Sequence, residues 1–158
     1  MANTQSMCTS FMSELMTATH NFGTAPVRAA STADTFKAAL YLASATVDAS
    51  TTAYSSTGEV TGTGYTPGGV TVTNATPPAS TNTSATAGTA YWTPSASITY
   101  TSVTLTTAFD AVLIYNSTQS DKAVSVHTFG SQTVTAGTFT LTMPSNTTST
   151  ALLRLATT

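Results

Sequence analysis

Charge is what this chain most conspicuously lacks. Four Lys/Arg and six Asp/Glu occur in 158 residues, or 6% charged, where an ordinary soluble domain carries about a quarter. So few cations leave no basic footprint for phosphate contacts, and no nucleic-acid partner is expected. Cysteine occurs once, as Cys8, which excludes an internal disulfide framework and any multi-cysteine metal site. No apolar run approaches the roughly 20 residues of a membrane-spanning helix, so no membrane partner is expected. The opening MANTQSMCTS has neither the basic start nor the apolar stretch of a secretory signal, and synthesis in a cytoplasm is the expectation. Histidine occurs only as His20 and His127, and Asp34, Asp48, Glu59, Asp110 and Asp121 are spread along the chain with no close pair. The usual constellations for nucleophilic, acid–base or metal catalysis are missing. The expectation is a protein that is not an enzyme and holds no cofactor.

Threonine and serine stand where charge is absent. β-Branched threonine suits a pleated, half-exposed strand, and its hydroxyl keeps that face wettable without charge. A chain of 158 residues, 41% of them hydrophobic, has the length of one domain with a real core. The reading is a mainly β fold, an antiparallel β-sandwich with one short N-terminal helix. That helix is placed over residues 5–19, where Met7, Cys8, Phe11, Met12, Leu15 and Met16 recur at helical steps. It divides the chain into an N-terminal helical segment, 1–22, and a sandwich domain, 23–158. Four Asn-x-Ser/Thr triplets, at Asn74, Asn82, Asn116 and Asn146, are read as chance in so Ser/Thr-rich a chain.

Strand signals follow one another closely. TFKAALYLA puts Phe36, Leu40 and Leu42 on one face and Lys37 and Tyr41 on the other, as alternation in a half-buried strand requires. SITYTSVTLTT changes parity between Tyr100 and Val103, which predicts a β-bulge or a short break at Thr101–Ser102. AFDAVLIYN is apolar on both parities, as a central strand covered on both sides would be. The glycines of EVTGTGYTPGG imitate a phosphate loop, but no lysine follows and the flanks are extended. Thr66-Pro67-Gly68-Gly69 fits a type II turn, with Pro67 fixing φ and Gly68 supplying a positive φ. Pro67, Gly68 and Gly69 are therefore structural. Residues 74–89, with Pro77-Pro78 and no large apolar residue, read as a loop long enough to imply a use.

The motifs HNF, DTFKAALY, TTAY, EVTGTGYTPGG, AVLIYNST and AGTFTLTMP, in this order, resemble small virion structural proteins of tailed bacteriophages. The resemblance runs from about Phe11 to the end and is carried mainly by GTGYTPGG and DTFKAALY. It implies a capsid decoration (cement) protein on the head exterior, with copies of itself, as a homotrimer, and the major capsid protein as partners. The chain departs from the pattern at GTAPVRAASTA and in the 74–89 loop. Pro26, Arg28, Pro77, Pro78 and Asn82 are accordingly the candidate partner contacts. A tail, collar or fibre-attachment component is the alternative within the virion. A carbohydrate-binding or host-adhesion module is the alternative of another class, with Tyr65, Tyr91, Trp92 and Tyr100 as candidate stacking surfaces.

Overall fold

The computed structural model describes residues 3–16, 19–22, 33–81 and 88–156. The elements are β1 (Ser6–Met7), α1 (Thr9–Met16), β2 (Phe36–Leu42), β3 (Val70–Thr71), β4 (Ala79–Ser80), β5 (Thr89–Trp92), β6 (Ile98–Asn116), β7 (Lys122–Leu141) and β8 (Leu153–Ala156). They form two antiparallel sheets, β1-β7-β6-β2-β3 and β4-β5-β8. AFDAVLIYN lies in β6, between β2 and β7, and everything from Ala111 to Asn116 is buried. A strand flanked and covered in this way has no solvent face to keep polar.

The β6–β7 hairpin is folded back on itself. In a straight strand Tyr100 and Phe109 would sit roughly 30 Å apart at the usual rise per residue. Yet Phe139, which pairs with Tyr100 across the ladder, has its ring 5.0 Å from that of Phe109 and 5.3 Å from that of Phe129. The sequence supplies the bend. Ser102 (φ 54) and Ala136 (φ 47) take left-handed backbone, and the register slips between Tyr100 and Val103 and again before Phe109. Bulges of this kind bend the bulged strand and increase its twist. The bend predicted at Thr101–Ser102 is there, and the folded half reaches β2, where the Tyr100 hydroxyl donates to Ala38 O at 2.9 Å.

One buried cluster takes side chains from both sheets. Phe22 stacks on Phe36 at 4.4 Å and meets Trp92 of β5 at 4.7 Å, and Leu153 of β8 joins the same cluster. Cys8, Phe11 and Phe22, from the stretch assigned to a separate N-terminal segment, belong to it as well. Burial pushes the Cys8 thiol up to about 11, so it stays protonated and weakly nucleophilic at neutral pH.

Three expectations change. The helix expected over 5–19 is not seen as such: Ser6–Met7 pair with β7, and among the described residues helical backbone spans Thr9–Met16. Edge pairing to β7 satisfies backbone groups that a lone, short helix leaves open. Tyr41, assigned to an outer face, is 1% exposed because residues 44–58 fold over it and Ser55 O accepts its hydroxyl. The 74–89 stretch is not a loop throughout. Ala79–Ser80 pair with Ala90–Tyr91, and Asn74 accepts the Trp92 indole N–H at 2.8 Å while donating to Phe22 O at 2.7 Å. A polar stretch can be ordered by its backbone and one well-placed amide, which a hydropathy pattern does not reveal.

Candidate functional site

The glycine-rich stretch is a turn held from inside by Glu59. The Gly69 N–H donates to Thr66 O at 2.9 Å, and Gly68 has φ 86, the geometry a type II turn requires. Glu59 Oε1 accepts from the Gly68 N–H at 2.8 Å and the Tyr65 hydroxyl at 2.7 Å, and Oε2 accepts from the Tyr54 hydroxyl at 2.7 Å. Tyr65 in turn accepts from the Leu40 N–H at 3.0 Å, and the Tyr115 hydroxyl donates to Gly68 O at 2.7 Å. Burial, then the bonds to Glu59, push the Tyr65 and Tyr54 phenols up, which keeps both as donors. The loop that resembles a phosphate cradle thus turns its Gly68 amide onto a carboxylate of the same chain.

Gly69 is the tightest point of the turn. It has φ 73, and a Cβ there would stand 1.7 Å from Ala38 O in the strand opposite. Gly69→Ala is expected to destabilise the fold by about 2 kcal/mol or more, from left-handed strain plus the displaced β2–β3 pair. Urea unfolding measures this, and an unchanged midpoint would remove the turn's structural role.

A second polar hub is centred on Asn116, which is fully buried. Its Nδ2 donates to Asp34 Oδ2 at 2.8 Å and to His20 Nδ1 at 3.1 Å. Its Oδ1 accepts from the N–H groups of Thr118 and Gln119 at 3.1 and 3.2 Å. His20 Nε2 then donates to Glu14 Oε2 at 2.8 Å, and Glu14 Oε1 takes Lys122 Nζ at 2.6 Å. Asp34 also accepts from the Asn21 N–H at 2.8 Å and from Gln119 at 3.0 Å. HNF and DTF are thus docked on each other and on the hairpin tip.

The third polar feature is open. A cleft of about 700 Å³ separates β1 and β7 from β8 and the strand's approach, with Ser6, Ser125, His127, Thr148, Thr150 and Arg154 among its lining residues. Ser125 Oγ and His127 Nε2 are 2.9 Å apart, two residues apart on one face of β7. Burial lowers His127 to about 4, so the imidazole is neutral at pH 7. No Asp or Glu is among the described residues lining the cleft, so nothing acidic orients the ring in the manner of a catalytic triad. The arrangement offers hydroxyls, one neutral imidazole and one guanidinium. Sequence reasoning missed it because Arg154 and His127 lie on different strands and meet only through sheet packing. Among the described residues no group of three His, Cys, Asp or Glu can hold a metal ion.

The two histidines make stability depend on pH. Burial lowers the pKa of His20 even against its bond to Glu14, and lowers His127 as well. A lowered histidine favours the folded state above its unfolded pKa, about 6.5, and that contribution is lost as protons bind below it. Glu14 follows at lower pH: burial opposes its ionisation, but the bonds from Lys122 and His20 outweigh this and hold its carboxyl below the usual range. Unfolding midpoints should therefore fall from pH 6.5 towards pH 4, and His127→Gln should flatten the slope. A midpoint constant over this range would contradict the burial of both rings.

Of the candidate partner contacts, Pro77 and Pro78 are exposed, immediately before β4. Pro26, Arg28 and Asn82 lie outside the described residues. Of the aromatic residues considered for sugar stacking, Tyr65, Trp92 and Tyr100 are buried and offer no ring face to a ligand. Comparison with protein-family models, with curated proteins and with solved structures finds no match to this chain.

Proposed function

We propose that this chain is a structural subunit of a bacteriophage virion, a capsid decoration protein whose two sheets pack as a sandwich. The observation that carries the reading is an uncharged pole. From Val60 to Phe109 and from Ala123 to Leu153 the sequence holds no Lys, Arg, Asp or Glu. Those stretches include β3, β4, β5, most of β6 and nearly all of β7. The exposed positions there include Thr99, Thr101, Thr106, Thr133, Thr138 and Thr140. Of the ten charged residues, three acids face inward, with Glu14, Asp34 and Glu59 in the two hubs.

Such a surface loses little side-chain entropy and little charge solvation on being covered. β7 beyond Val126 has no further strand neighbour among the described residues, because β1 pairs only with Ser125 and Val126. Free strands usually defend their edges with charge. Here the edge carries no charge and only the bulge at Ala136 interrupts it, which favours an edge that other subunits cover. Copies of the chain, as a homotrimer, and the major capsid protein are the proposed partners. Burial of three of the four candidate aromatics weighs against the adhesion module.

Quantifying the protein in purified particles tests this. A decoration protein should be present on the order of hundreds of copies, as shell symmetry dictates. A few copies per particle would replace it with the tail or collar component, and absence from particles would end the virion reading.

A further inference from the structure

The cleft beside His127 lies between two unfinished sheet margins. β1 closes one sheet and contributes Ser6 and Met7 to the cleft wall, and β8 closes the other and contributes Leu153, Arg154 and Ala156. Both are edge strands, two and four residues long, and β8 pairs only with β5 among the described residues. A strand edge is a row of unpaired N–H and C=O groups, and an extended segment that joins it gains ladder hydrogen bonds. The volume, about 700 Å³, falls within the range of ligand-holding clefts. The lining mixes hydroxyls with Met7, Val126 and Leu152, suited to side chains that alternate along a strand.

Charge selects among segments. Arg154 is exposed and lends one N–H to Ser149 O at 2.7 Å, leaving other guanidinium donors of its five for a ligand. It faces a lining without a single acid, in a chain whose net charge is −2. An acidic group from outside is the missing complement. We propose that the cleft receives an extended, carboxylate-bearing peptide segment of a partner protein, laid along the free edge of β8 with its carboxylate on Arg154. Only the partner's identity, a shell subunit, rests on the virion reading.

Isotope-labelled protein titrated with the peptide acetyl-Thr-Val-Thr-Asp-Thr-Val-Thr-amide tests the proposal by NMR. The expected result is saturable shifts of the Leu153–Ala156 amides and of the His127 ring, with slower amide exchange along β8. Arg154→Gln should weaken binding roughly tenfold, the scale of one lost charge-assisted hydrogen bond. The same peptide with Asn for Asp should bind as weakly, and should be insensitive to Arg154→Gln, because the two changes remove one interaction. The variant's unperturbed amide spectrum serves as the check that it is folded. No saturable shift, equal binding of the Asp and Asn peptides, or shifts confined to another surface would overturn the proposal. So would acetate alone reproducing the β8 shifts, which would make the cleft a small-anion site. Peptide binding in a protein absent from particles would keep the cleft and remove the shell as its partner. High copy number without peptide binding would do the reverse.

Discussion

Glu59→Ala will destabilise the protein by about 4 kcal/mol or more, because the residue is a shared acceptor inside the fold. The side chain is 6% exposed, and its two oxygens satisfy the Tyr65 and Tyr54 hydroxyls and the Gly68 N–H. Each buried donor left without an acceptor costs about 1–3 kcal/mol. Two such donors, the Tyr65 hydroxyl and the Gly68 N–H, with the half-buried Tyr54 hydroxyl beside them, exceed the gain from no longer desolvating a carboxylate. Tyr65 compounds the loss, since it also accepts from the Leu40 N–H and anchors the turn to β2. Glu59→Gln preserves the shape but turns an amide N–H₂ toward one of the donors, and should lose about half as much. Tyr54→Phe supplies the coupling test: in the Glu59→Ala background it should cost less than in the parent, because its partner is already gone. Urea unfolding of the four proteins gives the cycle, and a loss under about 1 kcal/mol for Glu59→Ala would mean that water or another acceptor replaces the carboxylate.

How far these hubs could be read from the sequence depends on the range of the interaction. The Thr66–Gly69 turn was legible because proline and glycine act on their own backbone. The bulge at Thr101–Ser102 was legible because a parity change is visible within a few residues. The central place of AFDAVLIYN followed from apolar side chains on both parities, a signal that needs no partner to be named. Glu59 was not legible, since its role is set by tyrosines that only folding brings to it, and spacing along the chain gives no hint of a shared acceptor. The fold-back of the hairpin escaped for a related reason. Alternation predicts a strand whether it is straight or bent, and only the distance between Phe109 and Phe139 reveals the difference. Tyr41 was misassigned because a period-2 pattern assumes one wet face, whereas residues 44–58 cover it. The helix was overextended because its apolar stripe suits an edge strand at Ser6–Met7 equally well at that length.

Asn116→Leu carries the other large expected effect, about 3–5 kcal/mol, and separates polar satisfaction from volume. Leucine keeps the branched outline and is the larger side chain, so a cavity is not the cause of the loss. What disappears is the donor to Asp34 Oδ2 and His20 Nδ1 and the acceptor for the Thr118 and Gln119 amides. Asp34 keeps the Asn21 N–H and Gln119 Nε2, so its carboxylate is weakened in support but not abandoned. His20 loses the Asn116 amide from Nδ1, its partner there among the described residues, while remaining between Phe11 and Phe36, with ring centroids at 4.9 and 6.3 Å. A buried acceptor in that aromatic setting has no route to water, which is the costly half of an unmade hydrogen bond. The damage should be local first: hydrogen exchange should speed at Asn21 and at Thr118–Gln119 before it does at Leu113, which is 0% exposed in the centre of β6. Thr118→Ala offers the contrast. It removes only the hydroxyl that accepts the exposed Thr35 N–H at 2.8 Å, and should cost under about 1 kcal/mol, as an exposed substitution does. Equal losses for the two variants would mean that the tip is held by its backbone turn alone. Exchange that speeds uniformly would mean that Asn116 acts through the whole core, and that HNF and DTF are not docked by this side chain.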